Sequence, residues 1–215
     1  MGQTTETNSL EVRWFGTGVP PPVLAEWIAG FGPTDTTMRT DLYLSPPSSG
    51  FNVKLRSEAG EHVEIKRRLG TVGRRSFGAA VSGTVEQWYK WSFPLGHQSG
   101  LRDADLTGLW LPVKKTRTLY GVDSADLGSL EDGVTAHVEV TEVSALSETA
   151  WTCGLEVAGP PDQLEGAFSA LRSELFADAF PVSLSAEQSH GYIEWLQRTA
   201  EDAPAATGVL VPSNR

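Results

Sequence analysis

Three short segments carry basic residues at alternate positions. They are Lys54 and Arg56 in NVKLR, Lys66 and Arg68 in VEIKRRL, and Lys115 and Arg117 in LPVKKTRTLYG. Two is the side-chain period of a β-strand, so within each segment the basic pair shares a face. Glu64 shares the face of Lys66 and Arg68, and Val113 that of Lys115 and Arg117. Arginine offers a planar fork of donors that matches phosphate oxygens, and lysine offers a mobile point charge. Turned inward on opposed strands, six such groups would wall a polar cavity where several donors converge. Turned outward, the same residues are solvated strand faces, or edge charges that block aggregation. Residue type and spacing leave both arrangements open.

The bulk numbers sharpen the question. The 215 residues have a net charge of −10, which argues against general nucleic-acid binding. Residues 54–117 nevertheless hold 12 of the 17 Lys and Arg but only 6 of the 27 Asp and Glu. The middle of the chain is therefore +6 and the remainder −16. A protein that repels anions at long range has gathered its positive charge into its central strands. Forty per cent hydrophobic residues and a mean hydropathy of −0.21 describe a soluble globular chain. A single cysteine, Cys153, rules out an intrachain disulfide and fits a reducing compartment. The first ten residues show neither the basic nor the apolar region of a signal peptide. No apolar run approaches the roughly 18 residues of a membrane span. The expectation is a cytoplasmic protein with no membrane partner.

These side chains need strands to hold them. LEVRWF, MRTDLYLS, GFNVKLRS, HVEIKRRLG, TVEQWYKWSF, LWLPVKKTRTLYGV, VTAHVEVTEVSAL and AWTCGLEVAG read as eight strands. PVLAEWIAGFG reads as an early helix. Leu164, Phe168, Leu171 and Leu175 form the stripe of a second helix. Ser185 with Gln188 has the pattern of a capping box opening a third, with Tyr192, Ile193 and Leu196 as its apolar face. GTVGRRSFG lacks the ending of a phosphate loop and reads as a flexible basic connection, with Arg74 and Arg75 placed to cover a tunnel mouth. Eight strands joined by short turns predict an α+β protein built on an antiparallel β-barrel, closed so that no edge is exposed. The expected organisation is a polar lead-in over 1–9, one domain over 10–200 and a flexible tail over 201–215.

The order of these pieces resembles the CYTH superfamily, the triphosphate tunnel metalloenzymes, which include class IV adenylate cyclases, thiamine triphosphatases and inorganic triphosphatases. The resemblance rests on TDLYL, VKLR, VEIKRR, Lys115-x-Arg117-x-x-Tyr120, the acidic strands VEVTEV and CGLEV, and SHGYIEWL near the end. It spans residues 11–196. It implies a closed eight-stranded tunnel, lined with charge, that holds a triphosphate and a divalent metal. On that reading Lys54, Arg56, Lys66, Arg68, Lys115 and Arg117 bind a phosphorylated small molecule, with Lys66, Lys115 and Arg117 the nearest matches.

The departures concern the acidic half. The family's first strand carries Glu-x-Glu-x-Lys, and here Glu11 is followed by Arg13 and Phe15. Gly154 stands where the last strand would place the first of two acids, leaving Glu156, and Thr141 follows Glu139. Hydrolysis of a phosphoanhydride needs Mg2+ or Mn2+ on oxygen ligands. Glu11, Glu139 and Glu156 are the carboxylates in phase to supply them, and His137 is in phase with Glu139. Arg13 would compete by pairing with those carboxylates, as Glu64 would with Lys66. Three functions stay open: a metal-dependent triphosphate hydrolase, a non-catalytic phosphoanion-binding module, and a calycin-like barrel for an apolar molecule built on the Trp-rich strands.

Overall fold

In the computed structural model, residues 3–45, 48, 50–56, 62–95, 109–122, 133–176 and 180–202 are described. Alternation along β1 (Thr5–Thr17) sends Leu10, Val12 and Trp14 to one face and Glu11, Arg13 and Phe15 to the other. The same division runs through β2 (Asp35–Leu44), β3 (Phe51–Arg56), β4 (His62–Ser76), β5 (Ser82–Pro94), β6 (Trp110–Val122), β7 (Thr135–Ala145) and β8 (Glu148–Gly159). The eight strands pair in the order β1-β5-β4-β3-β2-β6-β7-β8, and β8 pairs back onto β1. Every pairing is antiparallel. The fold is thus a closed eight-stranded antiparallel barrel with helices outside it.

The main apolar core lies outside the barrel wall. Leu10, Val12 and Trp14 of β1 and Leu155 and Val157 of β8 pack beneath α1 (Pro22–Ala29) and α2 (Leu164–Leu175). Leu164, Phe168, Leu171 and Leu175 are all buried, as their spacing predicts. Cys153 packs in this layer, and burial pushes its thiol up to about 12. A second cluster closes one end of the barrel. Phe15, Val113, Val143 and Ala150 meet Ile193, Trp195 and Leu196 of α3 (Tyr192–Asp202).

Three local expectations change. β1 begins at Thr5, inside the polar lead-in, because Thr5 to Ser9 pair with Ser92 to Trp88 of β5 through backbone groups that need no apolar side chain. The Gly-rich stretch over 70–76 is no loop but the second half of β4. Its register shifts at Arg68/Gly70 and Thr71/Gly73 absorb the glycines. Arg74 and Arg75 lie on the outside near Glu187 and Glu165, at 3.8 and 2.9 Å. The Ser185–Gln188 pattern caps a single 3-10 turn, with Ser185 N–H donating to Gln188 Oε1 at 3.0 Å. The helix waits until Tyr192 because Ser189 bridges to Trp14 and His190 N–H donates to Arg13 O at 3.0 Å. Among the described residues no helix is long and apolar enough to cross a membrane.

Candidate functional site

The barrel encloses a cavity of about 160 Å3 whose lining settles the direction of the charged faces. Lys54, Arg56, Lys66, Lys115 and Arg117 all point into it, joined by Arg13, Arg39 and Lys90. Four carboxylates face these eight cations: Glu11, Glu86, Glu139 and Glu156. Tyr43 and Tyr192 line the part beside the apolar plug. A charged interior excludes the calycin-like reading, which requires an apolar tunnel.

The cations are organised by carboxylates, wall by wall. On β2, Asp41 is fully buried and takes Lys115 Nζ at 3.0 Å and Arg39 Nε at 3.1 Å. Lys115 Nζ also donates to Tyr43 Oη at 2.9 Å and lies 3.8 Å from the centre of the Tyr192 ring. Burial alone would raise the Asp41 carboxyl. Lys115, Lys54, Arg39 and Arg56 outweigh it and hold it well below the usual range. On β4, Glu64 receives Lys54 Nζ at 2.8 Å and Arg56 Nη1 at 3.0 Å. Despite its burial, these two cations bring it down to about 2.

The opposite wall is built on register. Glu11 of β1 stands beside Glu156 of β8, and Glu156 beside His137 of β7. Lys66 Nζ pairs with Glu11 and lies 3.9 Å from Glu156. Burial works against the Lys66 ammonium, and Glu11 and Glu156 overcome it, raising its pKa. Glu156 is pushed well down, burial notwithstanding, by Lys66 and His137. One step along the strands, Arg13 of β1 faces Gly154 of β8, which in turn faces Glu139 of β7. Arg13 Nη1 crosses that gap to Glu139 Oε1 at 2.5 Å and donates to Thr152 Oγ1 at 2.7 Å. Glu139 is held at about 2, with Arg13 the strongest of the cations that oppose its burial.

Two basic side chains keep much of their capacity. Arg117 reaches Glu139 only at 3.9 Å, and its buried Nε donates to no described residue. Lys90 forms no ion pair with a described residue. Arg68 departs from the other five predicted cations. It is paired to Glu86 at 2.7 Å and opens onto a neighbouring recess lined by Gly50 and Trp88. Glu64 pairs with Lys54 and Arg56 rather than with Lys66, because the β3–β4 register sets Lys54 directly opposite it. Arg39 and Lys90 line the cavity and Asp41 is buried behind it, and the three basic segments do not reveal them. Period two would have found them: Arg39, Asp41 and Tyr43 alternate in MRTDLYL, and Glu86, Trp88 and Lys90 in EQWYK.

Glu11, Glu139 and Glu156 all reach the cavity, yet this arrangement does not fit a divalent ion. Lys66 occupies the space between Glu11 and Glu156, and Arg13 holds Glu139. Among the described residues no three His, Cys, Asp or Glu side chains are grouped to hold a metal.

No protein-family model and no curated protein sequence matches the chain. Solved structures of similar backbone path include a conserved hypothetical protein from Pyrococcus furiosus. It is 15% identical, with 86% of this chain and 98% of that one covered at a TM-score of 0.48. The mimivirus capping enzyme triphosphatase is 11% identical, over 80% of this chain and 90% of that one, at a TM-score of 0.41. An S. pombe RNA triphosphatase is 11% identical, over 91% and 83%, at a TM-score of 0.39.

Proposed function

We propose that the protein is a divergent triphosphate tunnel protein whose barrel cavity binds a phosphorylated anion, a triphosphate or short polyphosphate. One observation carries the reading: eight basic side chains line a single cavity against four lining carboxylates and the buried Asp41 and Glu64 behind them, which leaves Arg117 and Lys90 without close partners among the described residues, inside a chain whose net charge is −10. Uncompensated positive charge held away from water is costly unless an anion completes it. Arg117 and Lys90 are the groups with most to offer such an anion. Lys54, Arg56, Lys66 and Lys115 are already held in place by carboxylates, so a polyanion meets an ordered array rather than mobile side chains. The spread of cations over β2, β3, β4, β5 and β6 suits a ligand whose charges are themselves spread out.

Isothermal titration with tripolyphosphate, beside orthophosphate and sulfate at matched ionic strength, tests this. Tripolyphosphate is expected to bind and the single-centre anions to bind far more weakly. Equal, weak responses to all three would remove the reading. A second reading is metal-dependent hydrolysis. The Glu11–Glu156 register pair sets two carboxylates side by side on one wall, but it would take an ion only once Lys66 had left them. Phosphate release from tripolyphosphate and nucleoside triphosphates with Mg2+ or Mn2+ tests that.

A further inference from the structure

We infer that the tunnel binds its anion without a divalent metal, because the guanidinium of Arg13 is a cation built permanently into the carboxylate wall. The inference rests on the cavity being a phosphoanion site and concerns how that site is charged.

The argument starts from a row of three register partners, Arg13, Gly154 and Glu139, on β1, β8 and β7. A side chain on β8 between the other two would block them. Glycine leaves the space open, and Arg13 fills it. A Cβ at position 154 would lie 2.9 Å from Arg13 Cζ and Nη2 and 3.0 Å from Nη1. The backbone there is not left-handed, so the glycine serves the close approach alone. The guanidinium is then fixed from several sides. Glu139 Oε1 lies 2.5 Å from Nη1, Thr152 Oγ1 accepts at 2.7 Å, and the Tyr192 ring centre stands 4.7 Å from Cζ. Arg13 is thus held over a notch shaped for it.

Lys66 does the same one step along the wall, set between Glu11 and Glu156. Each of the three carboxylates that could ligate a metal is therefore bound to a cation of the protein itself. Arginine stays charged at any working pH, so Arg13 stays paired to Glu139 wherever that carboxylate is ionised. A divalent ion would have to evict Arg13 or Lys66 into a cavity already rich in positive charge. The anion gains nothing from a metal here. Its bridging cations are covalently part of the chain.

The test exploits a difference in sign. Mg2+ chelates free tripolyphosphate in solution. A receptor that needs no metal therefore binds tripolyphosphate as well in EDTA as in Mg2+, or better, whereas a metal-dependent site binds it more tightly once Mg2+ is added. Titration of the protein with tripolyphosphate in EDTA and in Mg2+ is expected to give the tighter Kd in EDTA, with the Kd in Mg2+ weakened in step with the fraction of the anion that the ion chelates. A Kd tightened by Mg2+ would overturn the inference while leaving the phosphoanion reading intact. No binding in either buffer would overturn that reading, and this inference with it. Mn2+ alone, followed by its electron paramagnetic resonance signal, gives a readout free of phosphate. The native protein is expected to leave the free-ion signal unchanged. Quenching of that signal by the native protein, and its loss in Glu139→Gln, would show a resident metal site and end the proposal. Arg13→Lys, which keeps the charge, is expected to retain metal-free binding, and a melting curve confirms that it folds.

Discussion

Lys115 Nζ lies 3.0 Å from Asp41 Oδ2, with the two side chains only 3% and 0% exposed. Neither charge has water to fall back on. Removing one partner of such a pair leaves the other buried and uncompensated, a loss of about 3–5 kcal/mol. Asp41→Asn is expected to destabilise by that amount in urea unfolding at neutral pH, because Lys115, Arg39 and Arg56 then face one another. Adding Lys115→Met should recover part of the loss, since the two sites share one interaction.

Acid should unfold the protein in two stages. His190 is lowered to about 4 by burial, with Arg198 adding to the effect, from an ordinary 6.5. A depressed folded value means its contribution is full above 6.5 and declines as pH falls toward about 4. Glu64 and Glu139 are depressed from 4.5 to about 2, so theirs is full above 4.5 and is lost as pH falls toward 2. Melting temperature against pH should show both declines. His190→Phe keeps the stacking on Phe15, now at 4.7 Å between ring centres, and should abolish the upper decline alone.

Gly154 and Arg13 should behave as one unit. Gly154→Ala puts a Cβ 2.9 Å from Arg13 Cζ, and overpacking of that kind costs about 1–3 kcal/mol. In Arg13→Ala the clash is gone but Glu139 loses its partner. The double variant should therefore be less destabilised than the sum of the single ones, with a coupling of about 1 kcal/mol or more in a double-mutant cycle. Additive losses would mean that the notch and the guanidinium are unrelated.

Arg117 separates binding from folding. Its only ion-pair contact among the described residues, Glu139 at 3.9 Å, is long, and its side chain is 21% exposed. Arg117→Ala should change stability by less than about 1 kcal/mol. It should weaken tripolyphosphate by about 10- to 100-fold, the worth of a charge-assisted hydrogen bond. Lys90→Ala should act in the same direction. Both effects should shrink as salt is raised, because screening already weakens the native complex.

Much of this architecture is visible in the residues themselves. Alternation in LEVRWF, the paired cations of VKLR, VEIKRR and VKKTR, and the Leu164–Leu175 stripe announce strands, their charged faces and a covering helix. Whether the charges face in or out is not local information. It follows from closure of the sheet, and closure places the helices on the apolar face. Phe15 shows the limit most plainly. As a sequence position it looks like a missing lysine. In the structure it stacks on His190 and Trp195 and seats the last helix against the barrel end, at ring distances of 4.7 and 5.5 Å. The partners of Arg13 are likewise 126 and 139 residues away, at Glu139 and Thr152, and no pattern along the chain connects them. The Gly-rich half of β4 misleads for the opposite reason: its composition is that of a loop, and only pairing with β5 makes it a strand.

The apolar layer that holds this protein together lies between the barrel wall and α1 and α2, while the inner wall carries paired charges with Arg117 and Lys90 in excess. Shell and lining are therefore separable. Side chains inside can be exchanged as long as each buried charge keeps a partner, and the packing outside does not register the change. Arg13 and Gly154 form one such matched pair, the guanidinium filling the space that the glycine leaves. A vessel of this kind keeps its shape through changes of contents, so its descendants are better recognised by the wall than by what the wall surrounds.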